Sequence, residues 1–144
     1  MCHIHAYKTM NFNTIASQES LEKASAALAA NGFSPTFVAS KEEALAKVRE
    51  LIPEGVSIMN GASETLREIG LIDILKSGAH PWKNVHDAVL TEKHPEKQAV
   101  LRRQSVLSDY YLGSAHAITE TGELVIASNS GSQLPHLAFT SPNL

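Results

Sequence analysis

The sequence predicts an α/β fold in which a mostly parallel sheet is flanked by helices and carries an added antiparallel hairpin. Segments with helical periodicity alternate with short apolar strand candidates along most of the chain, the pattern of βαβ units. Near the end of the chain, residues 117–119 and 124–127 flank a turn at Thr121 and Gly122. Because glycine supplies the positive φ that a tight turn requires, we expect these two segments to pair as the hairpin.

The first part of the chain predicts two helices separated by a short strand. Residues 19–31 are rich in Ala, Leu, Glu and Lys, and Gly32 follows them as a C-cap. Residues 36–38, after a proline, are a strand candidate. Residues 40–43 fit a capping box, with Ser at the cap and Glu three residues later. That box predicts a second helix, which runs to about Leu51.

The middle of the chain predicts one buried strand and three further helices. Residues 56–59 are apolar enough for a buried strand, and helices follow over 64–69 and 72–76. Residues 80–95, which contain two prolines and the lone tryptophan, read as a loop whose histidines have no regular ligand spacing. Residues 96–108 predict a longer amphipathic helix.

Composition excludes several classes of protein. The length of 144 residues suits one domain, and the net charge of −3, with scattered basic residues, argues against a nucleic-acid partner. No apolar run approaches the roughly 20 residues that span a bilayer, and no signal-peptide core is present, so we expect no membrane partner and a cytoplasmic location. The single cysteine, Cys2, rules out an internal disulfide framework or a cysteine-ligated iron–sulfur cluster within this chain.

The N-terminal tail does not have the ligand spacing of a metal site either. Cys2, His3 and His5 are close in sequence, but three donors in a tail match no closed zinc spacing. Residues 1–18 are therefore predicted to be a flexible N-terminal segment. We expect no metal site and no cofactor bound by this chain.

A Gly/Ser turn between a strand and a helix is the first candidate binding element. Backbone N–H groups at a helix N-terminus, with hydroxyl groups nearby, suit a phosphate or a carboxylate, and ligands of open α/β sheets bind beyond the carboxyl ends of the strands. Helix capping without any ligand explains the same residues equally well. The candidate ligand-binding residues of this turn are Asn60, Gly61, Ala62, Ser63 and Thr65.

A loop of small polar residues after the hairpin is the second candidate. It offers hydroxyls, amides and exposed backbone N–H groups with little bulk, and it is either a surface loop or the far wall of the same pocket. Its candidate ligand-binding residues are Ser128, Asn129, Ser130, Gly131 and Ser132.

Four ionisable residues near the hairpin are candidates for chemistry. Glu120 is the catalytic candidate, as a general base or a nucleophile, and the alternative is a solvated turn residue. Asp109 either approaches the site or carries a surface charge at the end of a helix. His116 and His136 either face the pocket, where a pKa near 6.5 suits acid–base work, or are buried for structural reasons.

Two motifs resemble those of the LUD domain, a family named for lactate utilization. Residues 118–125, ITETGELV, preceded by Asp109 and Gly113, are similar to the family signature, and residues 60–71, NGASETLREIGL, are similar to its other recurrent stretch. The resemblance extends from about Ser20 to the C-terminus.

The resemblance implies a fold and a boundary. LUD domains are similar to the superfamily of ribose-5-phosphate isomerase, glucosamine-6-phosphate deaminase and CoA transferases, which implies a three-layer α/β fold over residues 19–144 as a single LUD-like domain. Members normally continue with another strand and helix, so this domain is expected to be incomplete at its C-terminus. Either the chain is a truncated form or a partner chain completes the sheet, and an open strand edge favours a homo-oligomer.

The resemblance also implies a function. We expect a LUD-domain protein of lactate or organic-acid utilization that binds a small anionic ligand and acts with a separate iron–sulfur redox partner. The alternative is an enzyme similar to CoA transferases or sugar-phosphate isomerases that uses Glu120. A third possibility is an assembly subunit without a site.

Overall fold

The computed structural model describes residues 14–144, so Cys2, His3 and His5 lie outside the described residues. The described chain forms two compact units. The larger contains Thr36–Ala117 and Val125–Leu144, and the smaller contains the described residues up to Pro35 together with Ile118–Leu124. No helix among the described residues is long and apolar enough to cross a membrane.

A three-stranded parallel sheet forms the centre of the larger unit. Its strands are β1 (Ser57–Asn60), β2 (Lys83–Asn84) and β3 (Tyr110–Leu112), in the order β2-β1-β3. The chain thus places β2 on one side of β1 and β3 on the other. This reversal makes the carboxyl end of β1 a switch point of the kind at which open α/β sheets bind ligands. The predicted α/β fold with a parallel sheet is confirmed.

Five helices accompany this sheet, and three begin with a side-chain cap. The cap hydroxyls or amide oxygens of Ser40, Ser63 and Asn84 each accept a hydrogen bond from a backbone N–H three residues later, at 3.1, 3.2 and 3.1 Å. Such caps satisfy N–H groups that a helix start leaves without partners. The helices are α2 (Lys41–Leu51), α3 (Glu64–Glu68), α4 (Leu71–Ser77), α5 (Val85–Thr91) and α6 (Pro95–Gln104), the last followed by a 3₁₀ turn over Ser105–Leu107.

The hydrophobic core of the larger unit joins β1 to the helices around it. Ile58 of β1 and Leu71 of α4 are fully buried, and Trp82 packs with them. The indole nitrogen of Trp82 donates a hydrogen bond to the carbonyl oxygen of Ile52 at 3.2 Å, so its one polar group is satisfied inside the core. The core therefore connects α2, β1 and α4 directly beneath the turn that follows β1.

The smaller unit consists of α1 (Gln18–Ala30) and the turn of the hairpin. Ser17 caps α1, and Gly32 follows it with φ +88°, so the helix predicted over 19–31 is confirmed. The turn glycine, Gly122, has φ +87° and is buried, and an added Cβ would lie 2.9 Å from the backbone carbon of Ala27. Only glycine meets both conditions without strain.

Two short strands, β4 (Ala117–Ile118) and β5 (Leu124–Val125), form a separate antiparallel sheet, which confirms the predicted hairpin. The end of the chain then makes one turn of π-helix at His136–Thr140. Beyond it, the carbonyl oxygen of Asn143 accepts a hydrogen bond from the backbone N–H of Tyr111 at 3.0 Å. The chain's own last residues therefore pair with part of the outer edge of β3.

Three expectations about secondary structure were wrong. Residues 36–38 form no strand, because no strand within residues 14–144 pairs with them and Phe37 is 58% exposed. Residues 80–95 are not a loop, since they contain β2 and α5. Residues 105–108 leave the α-helix predicted over 96–108, and β3, which follows them, was not predicted.

Shortening a fully buried core residue should cost far more stability than shortening an exposed one. Leu71→Ala removes a side chain that is 0% exposed, so we expect the free energy of unfolding to fall by about 2–5 kcal/mol. Leu51→Ala, at a leucine that is 59% exposed, should change it by less than about 1 kcal/mol. Urea denaturation of both variants measures the difference, and equal losses would contradict this description of the core.

Candidate functional site

A cavity of about 490 Å³ opens at the carboxyl ends of β1 and β2. Its walls come from the turn after β1, the first turn of α3, helix α4, the end of β2 and helix α5. Pockets of this size are typical of small-molecule sites. The lining residues are Asn60, Gly61, Ala62, Ser63, Glu64, Arg67, Ile72, Leu75, Lys76, Asn84, His86, Asp87 and Leu90.

The turn after β1 is held tightly against the end of β3. The backbone N–H of Gly61 donates to the carbonyl oxygen of Leu112 at 3.0 Å, which extends the β1–β3 ladder into the turn. The side-chain nitrogen of Asn60, a residue only 4% exposed, donates to the carbonyl oxygen of Gly61 at 3.3 Å. A Cβ on Gly61 would collide with the hydroxyl of Tyr111. The close approach of Tyr111 therefore requires glycine at this position.

A buried aromatic pair, Tyr111 and His136, packs next to the turn. Tyr111 is 2% exposed and stacks on His136, with 4.3 Å between the ring centroids and 17° between the ring planes. His136 Nδ1 lies 3.0 Å from Ser141 Oγ, and the hydroxyl of Tyr111 donates to Gln133 Oε1 at 3.3 Å. Burial raises the pKa of Tyr111 and lowers the pKa of His136, so both rings are favoured in their neutral forms. Neither ring lines the cavity.

The cavity contains two positive and two negative side chains besides His86. Arg67 and Glu64 form an ion pair, and the hydrogen bond from Arg67 is the main cause that lowers the pKa of Glu64. Lys76 has no ion-pair partner among residues 14–144. Burial lowers the pKa of His86, while the charge of Asp87 opposes that shift. Lys76 is thus the cation of this wall whose charge is not already paired.

The turn residues predicted from the sequence meet in the cavity, apart from Thr65. Asn60, Gly61, Ala62 and Ser63 line it, whereas Thr65 does not. Ser63 also caps α3, since its hydroxyl oxygen accepts a hydrogen bond from the N–H of Leu66. The capping role is therefore present, and the hydroxyl proton of Ser63 is still available to a ligand.

The polar loop does not contribute its predicted residues to the cavity. None of the loop candidates Ser128, Asn129, Ser130, Gly131 and Ser132 lines the cavity, and Ser130 Oγ instead donates to Ser132 Oγ at 3.0 Å. Gln133 reaches Tyr111 and donates to the carbonyl oxygen of Ala127 at 3.0 Å.

The wall opposite the turn comes instead from the beginning of α5. Asn84, His86 and Asp87 line it, and none of them was among the predicted site residues. A signal for α5 was present in the sequence, because Asn84 stands three residues before Asp87 and caps the helix through the N–H of Asp87. Pro81 and Pro95, which lie on either side of this segment, favoured the prediction of a loop instead.

Asp109 lies at the opposite end of the sheet from the cavity. Its carboxylate accepts hydrogen bonds from the backbone N–H and the hydroxyl of Ser57, both at 2.7 Å, at the amino ends of β1 and β3. The side-chain hydrogen bond from Ser57 is the main cause that lowers the pKa of Asp109. Asp109 therefore joins two strands where they begin.

The side chains of Glu120 and His116 already form hydrogen bonds with other residues. The carboxylate of Glu120, an exposed residue of the smaller unit, accepts a hydrogen bond from the hydroxyl of Ser20 at 2.6 Å and lies 3.7 Å from the ammonium of Lys23. The hydrogen bond from Ser20 is the main cause that lowers the pKa of Glu120, and the charge of Lys23 lowers it further. His116 Nδ1 accepts a hydrogen bond from the N–H of Ala127 at 3.2 Å. His116, a residue of the larger unit, does not line the cavity. Among residues 14–144, no group of three His, Cys, Asp or Glu side chains could hold a metal ion.

A methyl group at position 61 should destabilise the protein, and removal of the Tyr111 hydroxyl should relieve part of that loss. We expect Gly61→Ala to lower the free energy of unfolding by about 1–3 kcal/mol, the usual cost of overpacking a tight site. In the Tyr111→Phe background the same substitution should cost less, because the colliding oxygen is gone. A double-mutant cycle from urea denaturation measures this coupling, and strictly additive losses would refute the collision.

The stabilisation from Asp109 should disappear in acid. A carboxyl whose folded pKa lies below its ordinary value of 3.8 stabilises the fold above that pH, and the contribution is lost as the pH falls through the folded pKa. The difference in free energy of unfolding between the wild type and Asp109→Ala should therefore be constant from neutral pH down to about 3.8 and shrink below it.

The control for this measurement is Glu54→Ala, which truncates an exposed carboxylate in the turn after α2. Its difference from the wild type should be small at every pH. A difference for Asp109→Ala that does not change with pH would show that packing, rather than the ionised carboxylate, carries the effect.

Comparison with known families agrees with this architecture. The family model described as the LUD domain matches residues 21–144, which is most of the chain. No curated protein and no solved structure shows significant similarity to it. The match includes the turn after β1, the cavity and the hairpin with its ITETGELV sequence. The chain belongs to the LUD domain family.

Proposed function

We propose that this LUD-domain protein binds a small anionic ligand of organic-acid metabolism in the cavity beyond β1 and β2. The observation that carries the proposal is the position of the cavity, at the carboxyl ends of two parallel strands, with Lys76, which forms no ion pair with any residue of 14–144, in its wall. Open α/β sheets bind their ligands at this edge. A ligand carboxylate would supply the counter-charge that Lys76 lacks.

The turn after β1 supports the same ligand class. Its residues follow the central strand and lead into α3, and Ser63, which carries a hydroxyl, is among those that border the cavity. The side chain of Asn60 is almost fully buried at the base of the turn. A small anion could therefore interact with both the turn and Lys76.

We further propose that oxidation of such a ligand requires a separate iron–sulfur partner protein. The support is membership of a family named for lactate utilization, together with a sequence that has one cysteine and no Gly-rich dinucleotide fingerprint. In this arrangement the chain presents the organic acid, and the partner accepts the electrons.

The geometry gives less support to the alternative that relies on Glu120. A nucleophilic carboxylate must be free to reach its substrate, whereas Glu120 is already bound by Ser20 and Lys23. The ligand-binding proposal uses residues that the structure brings together.

The proposal is tested by ligand-induced stabilisation with lactate, pyruvate, phosphate, sugar phosphates and acyl-CoAs as probes. A ligand that binds only the native state raises the unfolding temperature. We expect at least one of these anions to do so, and we expect Lys76→Gln to weaken its binding by about tenfold, since loss of a paired charge typically costs on the order of 1–2 kcal/mol.

The matched control is Lys93→Gln, which removes the same charge from an exposed lysine outside the cavity. It should leave the binding constant unchanged. Absence of binding by every probe, or an equal loss in both lysine variants, would refute the proposed site. Oxidation of lactate by the purified chain alone would refute the need for a partner.

A further inference from the structure

Part of the cavity wall is apolar, and an acid as small as lactate does not need such a wall. Ile72 and Leu75 of α4 and Leu90 of α5 form this wall. Leu75 is 5% exposed, so this part of the wall is rigidly packed, whereas Leu90 is 59% exposed at the mouth. A cavity of about 490 Å³ is within the range that holds ligands much larger than a three-carbon acid.

The charges of the cavity favour one anionic group and disfavour two. Glu64 and Arg67 neutralise each other, which leaves Lys76 as the attractive centre for a carboxylate. Asp87, in the wall from α5, has no ion-pair partner among the described residues and would repel a second negative group. A phosphate ester or a dicarboxylate therefore fits this charge pattern less well than a monocarboxylate.

We propose that the ligand is a monocarboxylic acid with a hydrocarbon tail several carbons longer than that of lactate. The carboxylate lies beside Lys76, and the tail lies along Ile72, Leu75 and Leu90. Burial of each additional methylene of the tail contributes to affinity through the hydrophobic effect. This inference depends on the proposed anion site, and it adds the size, charge and apolar character of the ligand.

Calorimetric titration with three acids tests the inference. 2-Hydroxyhexanoate, which keeps the head group of lactate and lengthens its tail, should bind roughly tenfold or more tightly than lactate, given the transfer energy of its added methylenes. Adipate, of similar length but with a second carboxylate, should bind more weakly than 2-hydroxyhexanoate.

Two serine variants show whether the apolar wall causes the preference. Leu90→Ser should reduce the affinity ratio of 2-hydroxyhexanoate to lactate by about threefold or more, since it removes apolar surface at the mouth. Leu107→Ser changes another exposed leucine, 73% exposed and outside this cavity, and should leave the ratio unchanged.

The failure of this inference and the failure of the proposed function give different results. If lactate and 2-hydroxyhexanoate bind equally well and Lys76→Gln weakens both, the anion site stands and the inference about the tail is wrong. Tighter binding of adipate than of 2-hydroxyhexanoate would refute the preference for one charge. If none of the acids binds, both the proposed anion site and this inference are wrong.

Discussion

The close approach of Gly61 to Tyr111 is the constraint on which the rest of the larger unit depends. Because Gly61 has no Cβ, the Tyr111 hydroxyl can occupy the space beside the turn after β1. Tyr111 is then buried deeply enough to stack on His136 and to bind Gln133, which brings the last segments of the chain against β3. The absence of a side chain at Gly61 thus allows Tyr111 to contact both the turn after β1 and the C-terminal residues.

The same turn also determines where the cavity forms. The Gly61 N–H continues the ladder to Leu112, so the chain leaves β1 in a fixed direction and enters α3 at the cap Ser63. Core packing of Leu71 and Leu75 then holds α4 beside that turn. Asp109 and Ser57 join the same two strands at their opposite end, where no candidate ligand residue other than Asp109 lies. The residues that line the cavity and the Asp109–Ser57 pair that joins the strands therefore lie at opposite ends of the sheet.

Local sequence signals identified the elements that carry their own caps or turn residues. Ser40 with Glu43, the glycine after α1 and the hairpin glycine Gly122 each satisfy a short-range rule, and all three elements formed. β2 and β3 have two and three residues, too few for a periodic pattern, and they exist as strands because β1 lies between them. Residues 36–38 show the reverse case, in which strand-forming side chains have no partner strand.

The sequence by itself determined the α/β class, the family resemblance and the Gly/Ser turn between a strand and a helix, because these depend on contiguous residues. Only the tertiary structure decided which residues face that turn. Sheet order places α5, with Asn84, His86 and Asp87, in the wall of the cavity and assigns Asp109 to the far end of the sheet. In the smaller unit, Glu120 is bound to Ser20 of α1. Residues distant in sequence meet only through strand pairing and core packing, and no local pattern encodes that register.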